Sequence, residues 1–282
     1  MSTDQEQPVP CARPWRQWCA GGLAATAWAA AVAAVVAVPN FLIGTDGYFH
    51  VAVAAKLPAH GWALQAFPWV SESVWVENYF DKEWLFHVLV AGLLPAGRLA
   101  AGKLAVVLCN GFIAVAFWWL FGRLEIKQRF WWTLALPFVT FGIFFERLCM
   151  CRPHLLSLAL LALGLGCIIR RYPLRLALVT AVYALSYTGH WQMLGIALWY
   201  DVLYVFLDVD GRRRRRWPRR LPMLLPVFLG MVAGELVHPN FPANIRGLWY
   251  QNVQVLAQHW QGGSDLHAMR PAELRSFGPA LW

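Results

Sequence analysis

Asp46 and His50 stand four residues apart in TDGYFHVAVAAKLPAHGW (residues 45–62), and Glu83 and His87 repeat that spacing in FDKEWLFH (residues 80–87). Residues four apart share a face of a helix, so each pair sets a carboxylate beside an imidazole. That pairing can move a proton or hold a cation. Plainer roles are open to both pairs. Asp46 follows Thr45 at a helix start, where N-capping alone would account for it, and His50 would then orient it or face lipid headgroups. Glu83 and His87 would form a capping box or a structural pair. Further along, polar groups close one apolar stretch after another: Glu146 and Arg147, Arg152 and His154, His190 and Gln192, and Glu235, His238 and Asn240. Singly, these too have structural readings. Arg152 before Pro153 suits a snorkelling interfacial arginine, and Asn240, between Pro239 and Pro242, suits a turn.

The elements that must position these groups are strongly apolar. Of the 282 residues 59% are hydrophobic and only 14% charged, against about 25% charged in an ordinary soluble protein. With 17 Trp, 17 Phe and a mean hydropathy of +0.46, the composition predicts an all-α, multi-pass membrane bundle. A crossing helix takes about 20 mostly apolar residues. Residues 21–43, 104–122, 130–147, 154–169, 174–189, 191–207 and 221–237 supply seven candidates. Residues 44–103 form a long connection carrying two helices, 46–57 ended by Pro58 and Gly61, and 84–94 ended by Pro95 and Gly97, with an irregular stretch at 65–82 between them. The apolar piece 84–94 is short for a crossing and suits the membrane interface. After the last span, HPNFPANIRG reads as a loop and LWYQNVQVLAQHWQ as an amphipathic surface helix.

Charge orients the map. The net charge is +9, and seven arginines fall in RRRRRWPRR (residues 212–220), between two apolar stretches. Arg13 and Arg16, the group Arg123, Lys127 and Arg129, and the group Arg170, Arg171 and Arg175 fall on the same side if 84–94 does not cross. By the positive-inside rule that side and the N-terminus are cytoplasmic. This distribution argues for anionic lipid as partner and against nucleic acid. All eight histidines then lie outside or at the outer membrane edge, on the face of residues 44–103. Residues 1–20 read as a cytoplasmic segment, 21–260 as the membrane domain, and 261–282 as a polar tail that begins a further region. The first apolar run is too long for a signal peptide. Cys149 and Cys151 lack a second pair at metal-ligand spacing, so no zinc site is indicated. Asp201, within a span near the inner side, reads as structural, tied to the arginines or a tyrosine. No internal repeat is visible, which disfavours inverted-repeat transporters.

Taken together, DGYFH (46–50), FDKEWL (80–85), RPHLLSLALLAL (152–163), HWQMLGIAL (190–198) and ELVHPNFPANIRGLW (235–249) resemble the GT-C superfamily of integral-membrane glycosyltransferases, over about residues 21–260. The pattern is similar to bacterial GT-C-like membrane proteins with D-x-x-x-H, H-E-W-L-like, R-P-Q and N-P-Y-G elements. It departs from them at Lys82, His154 and His238-Pro239-Asn240. The resemblance implies transfer of a sugar from a polyprenyl-phosphate-linked donor at the extracytoplasmic face of the plasma membrane. It implies a catalytic set of Asp46, His50 and Glu83, with Asp46 as general base on an acceptor hydroxyl. Donor phosphate would fall to Arg147 or Arg152, and the remaining substrate contacts to His154, His190, Gln192, His238 and Asn240. Any divalent ion, Mg²⁺ or Mn²⁺, would sit on Asp46 and Glu146, with His50 as a further ligand. A non-catalytic GT-C-like scaffold and a transporter or flippase for lipid-linked glycans are the competing readings.

Overall fold

The computed structural model describes residues 14–69, 76, 79–139, 142–206, 221–249 and 252–253. The arginine run 212–220, nearly all of residues 250–261 and the tail 261–282 lie outside the described residues. The described chain is helical, with no strand: α1 (Pro14–Ala37), α2 (Asp46–Lys56), α3 (Trp84–Leu93), α4 (Arg98–Arg123), α5 (Arg129–Val139), α6 (Ile143–Leu148), α7 (His154–Ile169), α8 (Pro173–Ser186), α9 (Gln192–Phe206), α10 (Leu224–Val237) and α11 (Ala243–Trp249).

Two of the hydropathy assignments change. The first helix stops at Ala37, two residues before Pro39, rather than running to 43. The stretch 130–147 does not form one rod: α5 carries Pro137 in its last turn, and α6 starts after Gly142 at φ 104. Proline removes a helical donor and clashes with the preceding turn, and a positive φ ends helical geometry. Two helices, Trp18–Ala37 and Arg98–Arg123, are long and apolar enough to cross a membrane. Helices α7, α8 and α10, of 16, 14 and 14 residues, are apolar but shorter. At about 1.5 Å per residue they reach roughly 21–24 Å, against about 30 Å of hydrocarbon.

Helix α4 runs through the centre, packed between α1 and α7; α8 joins α7 and, on its other side, α10, while α9 lies against α10 and α7. Polar pins cross these interfaces. The Trp28 indole N–H donates to Asn110 Oδ1 (3.2 Å), and Asn110 Nδ2 donates to Leu148 O (2.8 Å), joining α1, α4 and α6. Ser157 and Tyr183 share a hydroxyl hydrogen bond of 2.6 Å between α7 and α8. Helix α10 lies directly on the α8 backbone at Gly230 and Gly234, where an added Cβ would overlap Ala177 O and Ala181 O.

Helices α2 and α3 fold over one end of this bundle. Phe86 and Val90, both fully buried, set one face of α3 into the core of α1, α4 and α7, and each such side chain contributes about 1.5–3 kcal/mol. Val53, Leu57, Leu64, Phe67 and Tyr79 make a small separate core that ties the irregular stretch to α2. The neighbouring face of α3, with His87, is thereby pressed against α2.

Candidate functional site

Asp81, just ahead of α3, organises the site. Its side chain is fully buried and accepts the His87 Nδ1–H, at 2.7 Å to Oδ1 and 2.8 Å to Oδ2. Oδ1 also accepts the Glu83 backbone N–H at 3.2 Å. The turn after α10 grips the Asp81 backbone from behind. Its N–H donates to Asn240 Oδ1 (3.2 Å), and its carbonyl accepts the His238 Nε2–H (3.0 Å). The Asn240 N–H donates to His238 Nδ1 (3.1 Å), so the His238 tautomer is fixed with its proton on Nε2. Asn240 Nδ2 donates to Leu64 O (2.8 Å), which fixes the orientation of that amide as well. The residues just ahead of α3 are thus locked to a turn more than 150 residues away.

His87 Nε2 points at α2, where His50 Nδ1 lies 2.9 Å away with one proton between the rings. Both rings are buried, beside Phe49 and Phe86. Burial alone would lower the His87 pKa, but the charge and hydrogen bond of Asp81 outweigh it and the net shift is upward. Burial, reinforced by the His87 charge, holds His50 well below the usual histidine range. Glu83 is buried next to them, and burial raises its pKa despite Lys82, whose Nζ lies 3.9 Å from Oε1. One ligand atom from each of His50, Glu83 and His87 falls within 4.8 Å of the others.

Asp46 opens α2 but does not cap it; Thr45 is the flanking residue and makes no side-chain cap. The Asp46 carboxylate instead pairs with the Arg152 guanidinium from the turn before α7. This half-buried pair sits at the rim of the histidine cluster: the Asp46 charge acts on Glu83, and the Arg152 charge on His50. Glu83, likewise, is no capping-box residue: it flanks α3 without a side-chain cap.

A second cluster adjoins the first. His190 donates Nδ1–H to Tyr187 O (3.0 Å) and turns Nε2 towards Glu235 Oε1, 3.4 Å away. Asn244 Nδ2 donates to Glu235 Oε2 (2.6 Å) and to Glu235 O (2.9 Å). With both donors used on acceptors, Asn244 Oδ1 is left buried without a hydrogen-bond partner. It lies at a small cavity lined by Lys82, Thr188, Glu235, His238 and Asn244.

Of the sequence-predicted residues, Asp46, His50, Glu83, Arg152, His238 and Asn240 meet in one place, with His190 beside them. Three do not join. His154 donates Nε2–H to Arg147 O (2.9 Å), so Arg147 is engaged through its backbone carbonyl; its side chain and Gln192 are exposed. Glu146 is exposed, and the ligand-type cluster among the described residues forms without it or Asp46. Asp46 is paired with Arg152, and the described side chains close enough together to share an ion are His50, Glu83 and His87. Asp81 and Asn244 were the residues not singled out. Asp81 sits in FDKEWLFH, and an aspartate placed two residues before an acid and six before a histidine, in an apolar surround, was the available signal. Asn244 offered none beyond its place among prolines. Comparison with protein-family models, with curated proteins and with solved structures finds no significant match to the chain.

Proposed function

We propose that this protein is a membrane-embedded glycosyltransferase of GT-C type, taking a sugar from a polyprenyl-phosphate donor at the extracytoplasmic face of a plasma-membrane bundle with its N-terminus inside. The observation that carries the reading is the Asp46–Arg152 pair at the rim of a buried, fully engaged polar cluster built from four separate parts of the chain. Ionisable groups gathered at one end of an apolar bundle are costly and mark function by default. Apolar side chains exposed along the bundle helices, among them Leu174, Leu178, Trp199, Phe228 and Leu236, support a lipid surround and additional crossings beyond the two long helices.

The geometry suits phosphate exchange. A donor phosphate would draw the Arg152 guanidinium into a bidentate, charge-assisted contact. Asp46, released from that pairing, becomes free to take the proton of an acceptor hydroxyl at the face where the donor sugar is held. Arg152 thus acts as a phosphate ligand whose resting partner is the base itself. The transporter reading is weaker, since a path would need polar groups along mid-membrane and these gather at one end. The scaffold reading predicts that the pair is dispensable.

The test is a chromosomal deletion scored for loss of a surface glycan or glycolipid and complemented with variants. Wild type restores the product, while Asp46→Ala and Arg152→Ala, expressed at wild-type level, leave it at least about a hundredfold lower, the scale on which a general base contributes. Full restoration by Asp46→Ala would overturn the catalytic assignment.

A further inference from the structure

We propose that His50, Glu83 and His87 form a binding site for a divalent first-row transition ion, with Asp81 as the group that orients it. The inference rests on geometry alone and stands whether or not the chain transfers sugars.

The three side chains come from two helices and the residue that flanks one of them, and each is at least nine-tenths buried: 6%, 6% and 0% exposed. Their ligand atoms all lie within 4.8 Å of one another. The His50 Nδ1 and His87 Nε2 separation of 2.9 Å matches two nitrogens on one ion. With metal–nitrogen bonds of about 2.1 Å that edge subtends an angle of about 90°, the cis angle of a six-coordinate site rather than a tetrahedron. Two imidazoles, with the Glu83 carboxylate brought in by a side-chain adjustment from within 4.8 Å, would supply three ligands and leave the remaining positions open.

The surroundings fit the same purpose. Metal-bound histidines characteristically give their second N–H to a carboxylate, which fixes ring and tautomer. His87 does this to both oxygens of Asp81, and Asp81 also holds the Glu83 backbone N–H. One carboxylate therefore positions two of the three ligands, and Asn240 and His238 in turn immobilise its backbone. Charge points the same way. Asp81 already has His87 as its partner at 2.7 Å, which leaves the buried Glu83 as the carboxylate whose charge a cation would offset. Lys82, 3.9 Å from Glu83, is an ion-pair partner beyond hydrogen-bond length. Imidazole donors select a borderline ion such as Fe²⁺, Co²⁺ or Zn²⁺ over Mg²⁺ or Ca²⁺, which favour all-oxygen sites. Asp46 and Arg152 lie close by, near enough for their charges to act on Glu83 and His50.

The experiment uses the full chain in detergent, with any tag removed, stripped by chelator, incubated with Co²⁺ and desalted. Metal content and ligand-field absorption are then read. The expected result is one Co²⁺ per chain with a spectrum of mixed nitrogen–oxygen coordination, displaced by Zn²⁺ and indifferent to excess Mg²⁺. Glu83→Gln and His50→Ala should weaken Co²⁺ binding at least tenfold, and Asp81→Asn about 10–100-fold, the usual effect of removing an orienting partner. Wild-type protein that retains no Co²⁺, or that retains it equally in Glu83→Gln and His50→Ala, overturns the site and leaves a shared proton between the two rings. Should the variants fail to fold, the wild-type spectrum decides alone: a spectrum of oxygen ligands only counts against the proposal. Metal uptake with intact Asp46→Ala complementation would sink the transferase reading and keep the site, and the reverse result would do the opposite.

Discussion

The two ends of the helix bundle both carry charge, and they hold it in opposite ways. At the end capped by α2 and α3, Asp81 and His87 are wholly buried and His50, Glu83, His238 and Asn240 nearly so, and each is engaged by named partners. At the other end, where α4 and α8 meet their loops, arginines lie on rings close to the surface, Arg175 exposed and Arg123 and Arg171 half-buried. Arg123 sits over Trp119 at 5.0 Å, Arg175 over Tyr172 at 5.1 Å and Arg171 over Tyr204 at 5.1 Å. The Arg170–Glu125 pair is exposed at 35% and 77%. The buried acid of that end, Asp201, accepts the N–H groups of Met223 (3.0 Å) and Leu224 (2.8 Å), capping the start of α10. Exposed guanidinium groups on aromatic faces cost little desolvation and suit a headgroup boundary. Buried, interlocked acids and imidazoles are expensive, and perturbed groups of that kind concentrate where chemistry is done. The difference is between a charged end held on aromatic rings near the surface and a buried, interlocked end on which the proposed chemistry rests.

The sharpest way to break this contrast is Asp81→Ala. The change strands the His87 Nδ1–H and the Glu83 amide in a dry interior. Removing one partner of a buried pair costs about 3–5 kcal/mol, so thermal unfolding in detergent should fall by many degrees, with the cap of α2 and α3 loosening first. A shift no larger than that of a surface substitution would mean that the polar end is wet and its burial unimportant.

How much of this was legible beforehand follows from which contacts are local. Helices α2 and α3 match the expected 46–57 and 84–94 almost to the residue, because Pro58, Gly61, Pro95 and Gly97 stop them by local backbone chemistry. The i, i+4 spacing put His50 and Glu83 in view as chemistry-bearing residues. Partner choice was not legible. His50 faces His87 rather than Asp46, and Asp46 faces Arg152, 106 residues away. These pairings depend on how the cap settles on the bundle, which periodicity does not encode. The helix lengths erred for a nameable reason: hydropathy windows read through Pro137 and Gly142 as though apolar character implied a continuous helix.

A smaller effect tests the arginine end. Asp201→Ala removes two amide acceptors at the α10 start, and loss of such a cap costs about 1–2 kcal/mol. The same helix end feeds the loop leading out of the arginine run, so limited proteolysis near residue 221 should quicken in the variant. The polar end should be unaffected, with Co²⁺ uptake equal to wild type. Loss of uptake would show the two ends to be mechanically coupled through α10, whose far end positions His238 and Asn240.

The smallest effect is expected at Arg170. Its pairing with Glu125 at 2.8 Å is short, yet distance is a poor guide to strength here. Both partners are solvated, so the Coulomb gain is screened and two long side chains must be immobilised to realise it. Exposed pairs of this kind contribute about 0–1 kcal/mol. Arg170→Ala should therefore shift detergent unfolding by no more than a degree or two, and raising salt to several hundred millimolar should erase even that, since the screening length then falls below about 8 Å. In a bilayer the expectation changes sign of interest: an arginine at this boundary faces anionic headgroups, each such charge adding about 1 kcal/mol of attraction. Reconstituted in anionic vesicles, Arg170→Ala should lose more stability than in neutral ones, while Asp81→Ala should lose the same in both. Equal behaviour of the two variants across lipid charge would erase the distinction between the two ends.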